Sequence, residues 1–151
     1  MRRIAFTAAI AALSMCCAFA QTVPSGWKLV KDKQGTCQVA VPSDWTTDKI
    51  VSSFAKSPDG KADVVAHGLR SGQAFPEATS MAKQIMKPSK IIEDSGKRLW
   101  YVYEGNSSSS GGTSWYVAVP GTPVCTAQVG FKDPAAEETA KKIALSLTQA
   151  K

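Results

Sequence analysis

Two widely separated segments each alternate their residue character, and each carries a cysteine. In the first, Cys37, Val39 and Val41 alternate with Thr36, Gln38 and Ala40, until Pro42 stops the run and Trp45 follows the turn. In the second, Cys125, Ala127, Val129 and Phe131 fall on one face. A period of two marks a strand with one buried side, so the chain must build a sheet that holds both segments. The two cysteines are expected to be bonded to each other. This constrains architecture and supplies no chemistry.

The pairing follows from the N-terminus. Arg2 and Arg3 precede an apolar run from Ile4 to Cys17, and Ala18-Phe19-Ala20 is a small-x-small cleavage site. Together they read as a secretory signal peptide over residues 1–20, cut between Ala20 and Gln21. The apolar run is too short to span a bilayer comfortably, which disfavours a membrane anchor. Leu13-Ser14-Met15-Cys16 resembles a bacterial lipobox, which would leave the chain lipid-anchored at Cys16. The residue before such a cysteine is normally small, and Met15 is not. Cleavage removes Cys16 and Cys17 and leaves Cys37 and Cys125 in an oxidising compartment, periplasmic or extracellular, where a lone pair becomes a disulfide. Closing so long a loop is worth about 4 kcal/mol in the chain-entropy picture. A reactive thiol or a metal ligand is the weaker reading, since there is no C-x-x-C and only one histidine.

Residues 21–151 suffice for a single globular domain. Without Arg2 and Arg3, sixteen basic residues face twelve acidic ones. The excess is mild and scattered. A nucleic-acid surface clusters its basic residues, so a nucleic-acid partner is not expected.

Turn residues divide the rest. Trp27–Lys31 is a strand candidate, and Asp32-Lys33-Gln34-Gly35 turns it into the Cys37 strand. Ser57-Pro58-Asp59-Gly60 joins a strand over Ile50–Lys56 to one over Ala62–Leu69. Phe75, Ala78, Ala82, Ile85 and Met86 then recur at helical spacing, with Pro76 in the first turn and Pro88 at the end. Ile91-Ile92, Arg98–Glu104 and Thr113–Val119 are further strands. The Ser/Gly-rich segment 105–112 is a flexible connection, more readily a tether than a lid, and its Asn106-Ser107-Ser108 fits a glycosylation triplet by composition alone. Asp133 and Pro134 open a last helix with an apolar stripe of Ala136, Ala140, Ile143, Ala144 and Leu147. Glu137 and Glu138 precede Lys141 and Lys142 by four residues, a solvated face. The expected fold is α+β: a largely antiparallel sheet packed by two main helices, in the order four strands, helix, four strands, helix.

This layout resembles the PsbP/Mog1/DcrB-like superfamily of small α/β/α sandwiches. The resemblance is carried by the opening hairpin ending in Val39-Ala40-Val41-Pro42-Ser43-Asp44-Trp45 and by the Pro58-Asp59-Gly60 turn. Phe75-Pro76-Glu77-Ala78, the late aromatic hairpins and the closing Ala140–Leu147 helix complete it, over most of residues 26–149. It implies an accessory or binding protein. No site residue carries over from it, and the Cys37–Cys125 pair is not a family-wide feature.

Candidate chemistry is sparse. His67 shares a strand face with Val65 and Leu69, where it reads as a half-buried structural residue. A metal site needs three or four ligands and a catalytic base needs a nucleophile and an orienting partner, and no such set is visible. Glu93-Asp94 and Glu137-Glu138 are sequence neighbours with no sign of convergence on a cleft. No phosphate loop, G-x-S-x-G or H-E-x-x-H occurs. No cofactor, metal or catalytic residue is therefore assigned. Trp100, Tyr101, Tyr103, Trp115 and Tyr116 form a dense aromatic set whose members alternate faces; core packing is the first reading and an exposed binding surface the second. The leading functional expectation is an exported, monomeric, non-enzymatic accessory protein that contacts another protein. A small-ligand binder (sugar, lipid or peptide) using exposed aromatics is the alternative, and an enzyme of undetected type the third.

Overall fold

Hairpins set most of the pairings. The computed structural model describes residues 23–48, 53–69, 72–104 and 111–151. Strands β1 (Trp27–Lys31) and β2 (Cys37–Pro42) pair antiparallel about a turn in which the Gly35 amide donates to the Asp32 carbonyl at 2.9 Å. Gly35 has φ +69, a conformation that favours glycine. Strands β3 (Thr46–Thr47), β4 (Phe54–Lys56) and β5 (Ala62–Gly68) follow, the last two joined by the Ser57–Gly60 turn with its Gly60 amide on the Ser57 carbonyl. Helix α1 (Phe75–Met86) precedes β6 (Pro88–Asp94), β7 (Leu99–Tyr103), β8 (Thr113–Val119) and β9 (Cys125–Phe131). One 3-10 turn (Pro134–Ala136) leads into α2 (Glu137–Ser146), and β10 (Thr148–Gln149) closes the order.

The strands form two sheets. The larger has the order β3-β4-β5-β9-β8-β7-β6, and the smaller β1-β2-β10, with every pairing antiparallel. The α+β class with two main helices is thus as expected. The two-residue strands β3 and β10 are additional: Thr46-Thr47 and Thr148-Gln149 carry no alternation, and they pair because neighbours present an edge. The Ile50–Lys56 strand is described only from Phe54 to Lys56, with residues 49–52 outside the described range, as are the Ala20–Gln21 cleavage site, Cys16, and segment 105–110.

Alternation splits the core in two. On one face of the large sheet, Trp100, Trp115, Val117, Ala127 and Phe131 pack with Ala140, Ile143 and Ala144 of α2 and with Val39 and Val41 of the small sheet. On the other, Leu99, Tyr101, Tyr103, Tyr116 and Ala118 pack with Ala78 and Ala82 of α1. The small sheet and α2 therefore share one face, and α1 takes the other. Burying each large side chain is worth about 1.5–3 kcal/mol, so both seams stabilise the fold, the α2 seam with more residues.

The two alternating segments meet. Cys37 and Cys125 form a disulfide with S–S 1.99 Å and Cα–Cα 5.6 Å, tying β2 of the small sheet to β9 of the large one. At α2 the expected start is refined: Asp133 accepts from the Ala135 amide at 2.9 Å and caps the 3-10 turn, and the α-helix begins at Glu137. Three ion pairs join described residues, and neither Glu137–Lys141 nor Glu138–Lys142 is among them, consistent with a solvated face.

Candidate functional site

Helix α1 sits on the sheet by a narrow seam. Its buried residues are Ala78, Thr79 and Ala82, small enough to let the helix approach two tyrosines. Tyr101 donates its hydroxyl to the Ala82 carbonyl at 3.3 Å and stacks on Tyr116 with centroids 5.0 Å apart. Burial raises the Tyr101 hydroxyl pKa, with smaller contributions from Tyr116 and Tyr103. Burial also pushes Tyr116 up to about 12, against a hydrogen bond with Thr126 that lowers it. Both rings are therefore neutral at any physiological pH.

So narrow a contact leaves bulky residues outside. Ile85, which recurs at helical spacing with Ala78 and Ala82, is 68% exposed, and Met81 is 46% exposed. Beside them lies a groove of about 320 Å³, walled by Met81, Ile85, Met86 and Leu69 over a floor of Tyr116, with Gln73 at one side. Methionine side chains adapt to irregular partners, and contiguous exposed apolar surface marks interaction sites. The register explains what adjoins it. Phe54, Val65, Gln128, Tyr116, Tyr101 and Ile91 are successive cross-strand partners, hence one row on the α1 side. Helix α1 covers the tyrosines, while Gln128, Val65 and Phe54 remain half-buried beyond it.

His67 falls in the next row, opposite Thr126, whose hydroxyl donates to the His67 carbonyl at 3.1 Å. It is half-buried, and its ring makes no hydrogen bond to a described residue. Burial lowers its pKa and the charge of Asp32 partly offsets this. Asp32 is only 4% exposed and is bonded on both carboxylate oxygens. It accepts from the Thr36 amide at 2.6 Å, the Thr36 hydroxyl at 2.9 Å, the Cys37 amide at 3.0 Å and the Gly68 amide at 3.1 Å. Burial alone would raise its pKa, but these donors outweigh it and hold the carboxyl below its ordinary range. Gly68 fits here because a Cβ would lie 2.6 Å from Pro123 Cγ and 2.9 Å from Thr36 Oγ1. Asp32, Gly68 and the disulfide thus make one clamp between the two sheets, with His67 beside it. In the sequence Asp32 reads only as a turn starter; the Thr36 and Cys37 donors lie in that same turn, and the Gly68 amide alone is brought to it by tertiary pairing.

The aromatic set does not form a surface. Trp100, Tyr101, Tyr103, Trp115 and Tyr116 are all buried, the most exposed, Tyr116, at 7%. Trp100 and Trp115 meet edge-on at 5.0 Å on the α2 side, and the tyrosines cluster on the α1 side. The exposed aromatic surface expected under the small-ligand alternative is therefore corrected to two internal clusters: each ring falls under a helix because its strands are central in the sheet. The neighbours Glu93 and Asp94 diverge likewise, Asp94 pairing with Lys83 at 2.7 Å and Glu93 with Arg98 at 3.7 Å. Among the described residues no three or more His, Cys, Asp or Glu side chains group as metal ligands, and no helix is long and apolar enough to cross a membrane.

No family model and no curated protein matches the chain. Among solved structures, it is similar to the solution structure of cyanobacterial PsbP (CyanoP) from Synechocystis sp. PCC 6803, at 10% identity. That likeness covers 88% of this chain and 96% of that one, with a TM-score of 0.45. A match at that level carries no functional argument.

Proposed function

We propose that the chain is an exported, non-enzymatic accessory protein that acts as a monomer by contacting another exported protein through the groove beside α1. Residues 1–20 are its signal peptide, removed between Ala20 and Gln21, and a Cys37–Cys125 bond suits the oxidising compartment beyond. The observation that carries the docking assignment is the outward placement of Met81 and Ile85 along an apolar groove of about 320 Å³. The occupant is a partner that inserts an apolar side chain between Ile85 and Leu69 and sets a carboxylate near Lys87. Lys87 is exposed at the C-terminal end of α1 and belongs to none of the ion pairs among described residues. Apolar anchors with a charged rim are the usual anatomy of such contacts.

The test is a photo-crosslinking amino acid placed at position 85 or, as control, at position 145, in a bacterial host that exports the protein. One discrete adduct with another protein at position 85, absent at 145, is the expected result. No adduct at 85, or the same adducts at both positions, contradicts the assignment. An adduct between two copies of the chain would overturn the monomeric accessory reading.

A further inference from the structure

The opposite face of the large sheet is closed by α2 and β2 except along its β6 margin. Helix α2 packs chiefly on β9 and β2. At that margin β6 pairs with β7 through two irregularities, between Pro88 and Lys90 and between Ile91 and Glu93. Ile91 stands opposite Tyr101, on the α1 side, whereas Lys90 stands opposite Val102 and Glu93 opposite Trp100, on the α2 side. A bulge adds one residue and re-aims those that follow. Here it brings Lys90 and Glu93 to one face despite their odd spacing, while Glu93 and Asp94 alternate as strand neighbours do and each meets a cation, Arg98 and Lys83 respectively. Lys90 is left with none, and the extra residue, Ile92, remains 42% exposed.

Lys90 and Ile92 line a cavity of about 350 Å³ with Val102, Trp115, Phe131 and Lys132. Its apolar side rests on Trp115 and Phe131, which meet edge-to-face at 4.7 Å. Thr113 adds a hydroxyl and Glu137 the only carboxylate among the described residues that line it. The Nζ atoms of Lys90 and Lys132 form no ion pair or hydrogen bond with a described residue, while Lys61, Lys83 and Arg98 each hold a carboxylate. Two uncommitted cations against one carboxylate leave a net positive mouth over an apolar floor. The volume falls within the usual size of small-ligand pockets.

We propose that this cavity binds a small organic monoanion, a carboxylate with an apolar body, its charged end between Lys90 and Lys132 and its body against Ile92, Trp115 and Phe131. The site is separate from the α1 groove, and its ligand is recognised by charge paired with apolar contact rather than by an exposed aromatic platform. Glu137 limits the charge the site accepts: a dianion would face it at close quarters.

Calorimetric titration of the mature, disulfide-bonded protein with sodium octanoate tests this, with sodium acetate and 1-octanol as probes lacking the apolar body and the charge. Octanoate is expected to bind saturably and at least tenfold more tightly than either. In spectra of the methyl groups, Ile92 signals should shift on titration and those of Leu145 should not. Lys90→Gln and Lys132→Gln should each weaken octanoate about tenfold, Lys141→Gln should leave it unchanged, and Glu137→Gln should strengthen it. Absence of saturable binding overturns the proposal. So does equal binding of 1-octanol, or an equal loss in Lys141→Gln, which would mean attraction to general surface charge.

Discussion

The two faces of the large sheet are built to different standards. On the α2 face, a helix and a second sheet cover tryptophan, phenylalanine and valine side chains, and a disulfide fixes the second sheet in place. On the α1 face one helix rests on two tyrosines through two alanines and leaves Met81 and Ile85 in solvent. The first face contributes most of the apolar burial, and the second trades burial for an accessible apolar edge. A fold can leave one face underpacked only when the other, with its covalent tie, supplies enough stability. Substitutions on the two faces should therefore separate stability from binding.

The sharpest contrast is covalent. Replacing both Cys37 and Cys125 by serine should cost about 4 kcal/mol, read as a fall in the urea midpoint, while the secondary structure of any folded fraction is retained. A loss under about 1 kcal/mol would mean that the small sheet holds its place without the bond. Next comes the Asp32 clamp. Asp32→Ala leaves the Thr36, Cys37 and Gly68 amides without their acceptor and should cost about 3 kcal/mol at neutral pH. The Asp32 pKa is lower folded than unfolded. Its stabilisation is therefore present above the unfolded carboxylate pKa and is lost as pH falls through the folded one. In urea titrations the difference between wild type and Asp32→Ala should shrink as pH drops below about 4.

The seam of α1 comes third. Ala82→Leu should cost about 1–3 kcal/mol by forcing the helix off Tyr101, seen as lost protection of the α1 amides. His67 is smaller still, and its sign is opposite to that of a paired histidine. Its pKa is lowered in the folded state, so below about 6.5 the unfolded chain binds the proton more readily and stability falls with pH. His67→Gln should flatten the stability profile between about pH 6.5 and 5 by under about 1 kcal/mol. At the bottom of the scale, Ile85→Ser should change stability by no more than about 0.5 kcal/mol.

How much the sequence disclosed differs between the faces for the same physical reason. Of the expected stripe, Ala140, Ile143, Ala144 and Leu147 are buried and Ala136, in the 3-10 turn, packs partly buried beside them, because a helix on a broad seam shows its full period. The period of α1 also reads as a helix, but the period alone does not disclose that Ile85 stays exposed. The width of a seam is set by the opposing surface, here Tyr101 and Tyr116, and not by the helix itself. The cysteine pairing follows from counting and compartment. The Asp32 clamp does not, since Gly68 reaches it only through tertiary pairing. The β6 bulge is equally silent: Ile91-Ile92-Glu93-Asp94 contains no glycine to mark it, and it shows only in the register with β7.

The most direct test of the central claim uses the partner captured at position 85, purified and titrated against wild type, Ile85→Glu and Leu145→Glu. Leu145 is a fair control, since it is 44% exposed on α2. The α1 assignment predicts at least a tenfold loss of affinity for Ile85→Glu, near wild-type affinity for Leu145→Glu, and unchanged stability in both. Equal affinities for all three proteins, or a loss confined to Leu145→Glu, would contradict it.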